Sequence, residues 1–182
     1  VLDILPQASG DTWLATANSV EVFRIETKQV QQTGITSNNK FIALACANNK
    51  VYAFSKGNGI HVFNLQGELL SVFGKNIDFG YTTKVDDEIW ASSKSGLYRV
   101  NTSKNELSLV LGSEEFKFNS APAVTKNAIY AWHAMGYVKV NYRNTPYYNA
   151  KIKITRTNIS GNEQLNNRTI SLNSTKDVVS LY

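Results

Sequence analysis

The sequence is poor in the residue types that cross-link chains, break strands or carry out catalysis. Its 182 residues include one cysteine, two histidines and three prolines. A single cysteine excludes an internal disulfide and a cysteine-based zinc site. Cys46 lies in the apolar run FIALACA (41–47), so we expect a buried structural thiol there and not a nucleophile.

Helical and membrane-spanning patterns are also missing. No run of about ten residues repeats its apolar positions with the period of an amphipathic helix. No stretch approaches the roughly 18 apolar residues that predict a membrane span. The chain is 42% hydrophobic and 18% charged, with 11 glycines. This composition favours a β-protein with a sizeable core and many tight turns.

Positive charge is concentrated in the last third of the chain. Residues 1–115 carry 10 Lys and Arg against 12 Asp and Glu, whereas residues 116–182 carry 9 against 2. Such asymmetry can mark a surface for nucleic acid or membrane. These cations are dispersed along alternating strands, so we expect a solvated face and no direct binding of nucleic acid.

A strand motif recurs four times along the chain. The four segments are DTWLATA (11–17), KVYAFSK (50–56), EIWASSK (88–94) and AIYAWHA (128–134). Their aromatic residues fall into register at spacings of 39, 38 and 40 residues, as Trp13, Tyr52, Trp90 and Tyr130. An alanine follows each ring at once or one place later, as Ala15, Ala53, Ala91 and Ala131.

Further strand-like segments flank each motif and give four short strands per unit. A four-stranded unit that repeats at about 40 residues is typical of a β-propeller blade. A blade cannot bury both faces alone, so it stacks on its neighbours around an axis. We expect the register aromatics to fill the space between blades and the small alanines to let the next sheet approach. A long β-sandwich would not explain this period.

The predicted fold is all-β, with a β-propeller arc of about four four-stranded blades and the first strands of a C-terminal Ig-like β-sandwich. The predicted blades are about 1–40, 41–76, 77–115 and 116–148, and the truncated sandwich is 149–182. The fourth blade lacks a convincing outermost strand, for which NTPYYNA (144–150) is the nearest candidate. Ile152, Ile154 and Ile159 mark the alternation that predicts the sandwich.

Four units are few for a closed ring, since typical propellers have about four to eight blades. The sequence therefore predicts an open arc with exposed blade faces. We expect the arc of a larger ring, in which missing blades of the parent chain or a second copy in a homodimer cover the exposed faces. A closed four-bladed ring is the alternative.

These segments resemble the two-component-regulator propeller repeats of bacterial sensor proteins, found especially in Bacteroidetes. The matching stretches are SGDTWLAT (9–16), GIHVF (59–63), IWASSKSGLY (89–98) and GY (136–137). The tail, with KIKITRTNISGNE (151–163) and RTISLNSTKDVVSLY (168–182), resembles the start of the three-Tyr (YYY) β-sandwich that follows the last blade in that family.

The resemblance implies an extracytoplasmic sensor. Its propeller would bind a ligand, often a carbohydrate fragment, and its sandwich would signal across the inner membrane to a histidine kinase, often a hybrid kinase. The expected location is periplasmic, the expected ligand is an oligosaccharide, and contact with the membrane would come only through other parts of the parent protein.

One aromatic segment is the predicted ligand site. YAWHAMGY (130–137) places Trp132, His133 and Tyr137 around a turn between the second and third strands of a blade. Aromatic faces with hydrogen-bonding tips suit stacking on a sugar ring. The equivalent turns TANS (16–19) and KGNG (56–59) would add polar contacts. Packing of the aromatic rings against the next blade or the sandwich is the alternative.

The sequence gives no support for catalysis, a metal or a cofactor. His61 and His133 lie in different blades, and we expect His61 at a packed or surface strand position. The acidic run 86–88 lacks the calcium-loop pattern and predicts a solvated turn. A lyase or glycosidase propeller would need clustered acids on its axial strands, where Asp3 stands alone. A non-catalytic scaffold for protein–protein interaction is the alternative to the sensor.

Overall fold

The computed structural model describes residues 1–36, 40–114, 116–142, 156–159, 162–165 and 179–181. Within these ranges the main regular elements are β-strands, and no helix long and apolar enough to span a membrane is found among them. The chain divides into two compact units, Val1–Tyr147 and Tyr148–Tyr182.

The first unit is the predicted propeller arc of four antiparallel sheets. Blade 1 contains β1 (Asp3–Pro6), β2 (Thr12–Ala15), β3 (Ser19–Arg24) and β4 (Gln29–Thr36). Blade 2 contains β5 (Phe41–Ala47), β6 (Lys50–Ser55), β7 (Gly59–Asn64) and β8 (Leu69–Phe73). Blade 3 contains β9 (Phe79–Val85), β10 (Glu88–Ser93), β11 (Gly96–Asn101) and β12 (Glu106–Leu109). Blade 4 contains β13 (Ala123–Val124), β14 (Ile129–His133) and β15 (Gly136–Val140). Strand order follows chain order in every blade.

In blades 2 and 3 the tight turn between the second and third strands depends on glycine. Gly59 begins β7 at a φ of +86°, and a Cβ there would lie 2.3 Å from the carbonyl oxygen of Phe73. Gly96 begins β11 at a φ of +132°, with the nearest side-chain carbon, from Leu109, at 2.6 Å. Any other residue would strain the backbone and displace the fourth strand. This explains why a glycine opens the third strand in blades 2 and 3.

The first strand of each blade borders the common axis. β1, β5, β9 and β13 contact one another in that order, although they belong to different sheets. Asp3 on β1 joins two of the blades, since its Oδ2 accepts a hydrogen bond of 2.7 Å from the Leu44 backbone N–H on β5. The sheets are therefore arranged as blades around an axis, as the repeat predicts.

Each pair of neighbouring blades encloses a hydrophobic cluster. Trp13 lies in the cluster between blades 1 and 2, Tyr52 between blades 2 and 3, and Trp90 between blades 3 and 4. All three rings are at most 1% exposed. Burial of such large aromatic side chains stabilises a fold strongly. The prediction that these rings fill the gaps between blades is confirmed for the three.

Three sequence expectations need correction. Tyr130 is half-buried and lies outside the described clusters, since it is in the last described blade. Three of the four alanines, 53, 91 and 131, pack against the preceding blade and not the next one, because adjacent residues of a strand point to opposite faces. Cys46 is half-buried rather than buried, since β5 is the edge strand of its sheet.

The second unit contributes one three-stranded antiparallel sheet. Its strands are β16 (Arg156–Ile159), β17 (Asn162–Leu165) and β18 (Val179–Leu181), in the order β17-β16-β18. These strands lie where the first strands of the sandwich were predicted. The predicted outermost strand of blade 4 at 144–150, together with Ile152 and Ile154, lies outside the described residues.

Candidate functional site

Each blade presents two faces that can be compared position by position. We call the face toward the next blade the forward face and the face toward the preceding blade the rear face. Cross-strand pairing defines four equivalent forward positions in each blade. They are Trp13, Ala15, Val20 and Val22 in blade 1; Tyr52, Phe54, Ile60 and Val62 in blade 2; Trp90, Ser92, Leu97 and Arg99 in blade 3; and Tyr130, Trp132, Tyr137 and Lys139 in blade 4.

The forward face of blade 4 is an exposed aromatic surface. The ring centroids of Tyr130, Trp132 and Tyr137 lie 5.5–6.2 Å from one another. Trp132 is 42% exposed and Tyr137 is 58% exposed. The Lys139 ammonium lies 5.8 Å from the centre of the Tyr130 ring, within the range of a cation–π interaction. This surface contains two of the three residues of the predicted ligand site.

His133, the third predicted residue, points the other way. Its ring lies 4.4 Å from that of Phe116 and 6.1 Å from that of Phe118, between blades 3 and 4. It is adjacent to Trp132 in β14, and adjacent strand residues alternate between faces. The structure therefore brings Trp132 and Tyr137 together and places His133 behind them.

A cleft with several polar side chains in its lining lies at the junction of blades 1 and 2. It has a volume of about 630 Å³, within the usual range for a small-molecule site. It lies on the edge formed by the β1–β2, β3–β4, β5–β6 and β7–β8 turns, opposite the edge that holds TANS and KGNG. Its walls are Gln7, Ala8, Ser9, Asp11, Trp13, Arg24, Gln31, Asn49, Leu65 and Gln66.

Arg24 holds the two blades together at this cleft. Its Nη1 donates to Asp11 Oδ2 at 2.8 Å and to the Leu65 carbonyl at 3.1 Å. Its Nη2 donates to the Gln66 carbonyl at 2.6 Å, and its Nε donates to Gln31 Oε1 at 2.9 Å. The guanidinium is thus engaged by protein groups on every nitrogen, so its main role is to fix the walls of the cleft.

Asp11 carries a negative charge that the protein itself neutralises. The hydrogen bond from Arg24 and a second one from the Ile25 backbone N–H, at 3.0 Å, lower the pKa of its carboxyl group. The carboxylate is therefore ionised near neutral pH and paired with an adjacent cation. A group of this kind is a poor general acid.

The remaining polar groups of the cleft are neutral. Gln7 Nε2 is buried and has no hydrogen-bond partner within the described residues. Ser9, Asn49 and Gln66 line the same space. Amides and hydroxyls that both donate and accept hydrogen bonds suit an uncharged ligand rich in hydroxyl groups.

Other candidate residues occupy packed or solvated positions. His61 is 8% exposed and meets the Phe41 ring edge-on, with centroids 5.1 Å apart. Burial, with a smaller contribution from Lys75, lowers its pKa, so it is neutral near pH 7, and its position is the packed one of the two alternatives that the sequence predicts. Asp86 and Asp87 lie in the β9–β10 turn, and Glu88 pairs with Arg99 on the neighbouring strand. No cluster of His, Cys, Asp and Glu suited to a metal occurs among the described residues.

A sequence profile for a family described as a domain of unknown function, DUF5074, matches residues 7–182. The chain belongs to this family. No curated protein matches it at a significant level.

Several solved structures share the fold of this DUF5074 chain. One is described as the extracellular domain of a hybrid two component system, BT4673, from B. thetaiotaomicron, with 17% identity, a TM-score of 0.64, and coverage of 89% of this chain and 23% of that one. The computationally designed Ika4 protein has 13% identity, a TM-score of 0.60, and coverage of 76% and 91%. Virginiamycin B lyase from Staphylococcus aureus has 14% identity, a TM-score of 0.55, and coverage of 75% and 53%.

These likenesses establish the fold and no more. The chain spans less than a quarter of the length of the BT4673 chain that it matches. A sensor domain, a designed protein and a lyase share the architecture, so function has to be argued from the site.

Proposed function

We propose that this DUF5074 chain is the extracytoplasmic ligand-sensing region of a two-component signalling protein, that its ligand is a carbohydrate, and that it has no catalytic activity of its own. The observation that carries the proposal is the cleft between blades 1 and 2. The similarity to the extracellular domain of BT4673 supports a periplasmic location through the shared fold.

The chemistry of the cleft favours a neutral polyhydroxylated ligand. Arg24 and Asp11 neutralise each other at 2.8 Å, so neither offers a free charge to an anionic or cationic ligand. The side chains of Gln7, Asn49 and Gln66 can each donate and accept hydrogen bonds, which matches the alternating donors and acceptors of sugar hydroxyls. Trp13 closes the floor but is only 1% exposed, so recognition would depend on hydrogen bonds more than on stacking.

The position of the cleft suggests how binding would be transmitted. Its walls belong to two blades that Arg24 links through backbone carbonyls. A ligand that contacts both blades would stabilise one arrangement of them, and signalling requires such a difference in affinity between two states. The change would pass to a histidine kinase through parts of the parent protein that cross the membrane.

Direct binding measurements test the proposal. In a thermal-shift screen of neutral oligosaccharides, we expect a specific glycan to raise the melting temperature in proportion to the logarithm of its concentration. Gln7→Leu and Gln66→Ala should weaken binding, while Gln32→Ala, a glutamine on the opposite face of blade 1, should leave it unchanged. Equal effects of all three changes would contradict a site in the cleft.

Trp132, His133 and Tyr137 remain a second predicted ligand site. In the same screen, loss of binding in Trp132→Ala and Tyr137→Ala, with no effect of the cleft variants, would assign the ligand to the aromatic face of blade 4. His133→Ala should then have little direct effect, because its ring lies on the rear face.

A non-catalytic scaffold is the competing function. The exposed rings on the forward face of blade 4 favour it, because exposed aromatic patches often mark protein-binding surfaces. If no oligosaccharide, monosaccharide or polyol shifts the melting temperature, the sensor proposal fails and the scaffold is favoured.

A further inference from the structure

We propose that two copies of this chain associate through the forward face of blade 4 in one copy and the rear face of blade 1 in the other. The same contact made twice would join two four-bladed arcs into one closed ring. This inference does not depend on the identity of any ligand.

The forward face of blade 4 carries the positions that are buried between blades elsewhere. All four forward positions in blade 1 and all four in blade 2 are completely or almost completely buried against the next blade. In blade 4 the equivalent residues include Trp132 at 42% exposure and Tyr137 at 58%. The same strand geometry therefore presents an apolar surface with no described blade against it.

The rear face of blade 1 is the matching surface. In blades 2, 3 and 4 three equivalent rear positions are buried against the preceding blade, at most 7% exposed. They are Val51, Ala53 and Phe63; Ile89, Ala91 and Val100; and Ile129, Ala131 and Val140.

Cross-strand pairing identifies the blade 1 counterparts of these positions as Thr12, Leu14 and Phe23. Each of the three is half-buried. Ile4 and Val30, which extend this face along β1 and β4, are 56% and 52% exposed. Within the described residues, the forward face of blade 4 and the rear face of blade 1 are thus both without a neighbouring blade, and both are largely apolar.

The charges on the two faces are also complementary. Lys139 lies on the forward face of blade 4, and Glu21 lies beside Leu14 on the rear face of blade 1. In the interface between blades 2 and 3 the equivalent positions are Val62, a member of the buried cluster, and Tyr98, which packs against that cluster. Stacking blade 4 on blade 1 in the same way would bring the ammonium and carboxylate groups together.

Symmetry makes a second copy a suitable occupant. A two-fold arrangement uses each face once per copy, so it leaves no open blade face on either arc. The number of blades, four from each copy, also stays within the usual range for closed propellers.

Sedimentation velocity on the full chain over a wide concentration range tests the association. We expect a reversible equilibrium between a monomer and a species of twice its mass. Lys139→Glu and Glu21→Lys should each raise the dissociation constant by about tenfold or more, and the double charge swap should recover most of the loss. Leu111→Asp, at a residue 67% exposed and outside both faces, is the matched control and should have no effect.

A mixing experiment tests which faces meet. Ile4→Asp damages the rear face of blade 1, and Trp132→Asp damages the forward face of blade 4, so each variant alone should be monomeric. A mixture of the two should form heterodimers, because one of the two interfaces then has both faces intact. Circular dichroism and melting curves on each variant show that the exposed substitutions leave the fold unchanged.

Three outcomes would overturn the proposal. A monomer at all concentrations would leave these faces without a second copy. Growth into larger species with rising concentration would exclude closure by two copies. Failure of the mixture to associate, with both variants folded, would show that forward and rear faces do not pair.

Discussion

Equivalent positions form the interface between blades 1 and 2, the interface between blades 2 and 3, and the forward face of blade 4. The side chains at these positions are buried in the two interfaces and partly exposed on blade 4. Tyr52 and Tyr130 occupy equivalent places in their blades. Tyr52 is completely buried, and its hydroxyl donates to the Thr102 carbonyl at 3.0 Å in blade 3. Tyr130 is half-buried and packs on the rings of Trp132 and Tyr137 in its own blade.

The difference shows that the repeat determines which face a side chain occupies, while the neighbour determines whether that side chain is buried. Strand alternation alone places Tyr52 and Tyr130 on forward faces. A side chain on a forward face is buried, and so contributes to stability, only where another sheet packs against that face. Substitutions at equivalent positions should therefore have unequal effects.

The largest expected effect is the difference in stability between removing the Tyr52 ring and removing the Tyr130 ring. Tyr52→Ala should lower the free energy of unfolding by about 3–5 kcal/mol, because it leaves a cavity between blades 2 and 3. Tyr130→Ala should cost about 1 kcal/mol or less at dilute concentration, as is usual for partly exposed sites. Urea unfolding of both variants measures this difference. Equal losses would mean that Tyr130 is covered in the monomer.

A smaller effect should follow from removing only the Tyr52 hydroxyl. Tyr52→Phe keeps the ring but loses the hydrogen bond to Thr102 and the contact with Asn105 Oδ1 at 3.2 Å. We expect a loss of about 1–2 kcal/mol in the free energy of unfolding. Tyr130→Phe is the matched control and should change stability very little. A neutral Tyr52→Phe would show that the hydroxyl does not join the two blades.

The same hydroxyl should make the interface sensitive to alkali. Burial, with a smaller contribution from Cys46, raises the pKa of Tyr52 to about 12, against about 10 in an unfolded chain. Between these values the unfolded state loses the proton first, so the stabilisation falls as pH rises. The stability gap between the native protein and Tyr52→Phe should narrow from pH 10 to 12. A constant gap would contradict the raised pKa.

The smallest expected effect concerns Asp11 at the rim of the cleft. Its pKa is lowered by Arg24 and the Ile25 N–H, so its contribution to stability is present above the unfolded pKa of about 4 and is lost as pH falls through the lower folded value. Asp11→Asn should remove this part of the acid dependence and change stability only slightly. A melting curve of both proteins from pH 6 to 2 checks it, and an unchanged acid limb would contradict it.

The blade architecture could be predicted from the sequence because it repeats. Four aromatic residues recur at nearly constant spacing, and each lies in a segment where apolar and polar residues alternate. This pattern indicates one strand per repeat that packs between sheets. The structure confirms this for Trp13, Tyr52 and Trp90. The same pattern could not reveal the exposure of Tyr130, since exposure depends on whether another sheet follows.

The cleft could not be predicted from the repeat, because most of its wall residues lie in turns that the repeat does not mark. Arg24 meets the carbonyl of Gln66 across 42 positions of sequence, and this contact exists only once two blades are stacked. The sequence contains one signal for the ion pair at the cleft, which is charge. Asp11 and Arg24 lie next to the cross-strand pair Thr12–Phe23 of β2 and β3, so the pairing of these strands places opposite charges side by side.

Acrylamide quenching of single-tryptophan variants is the most direct test of the difference between closed and open blade faces. One variant keeps only Trp90, which is fully buried, and the other keeps only Trp132, which is 42% exposed; phenylalanine replaces the remaining tryptophans. At dilute concentration we expect weak quenching and blue-shifted emission for Trp90, and strong quenching for Trp132. Equal quenching of the two would contradict the account.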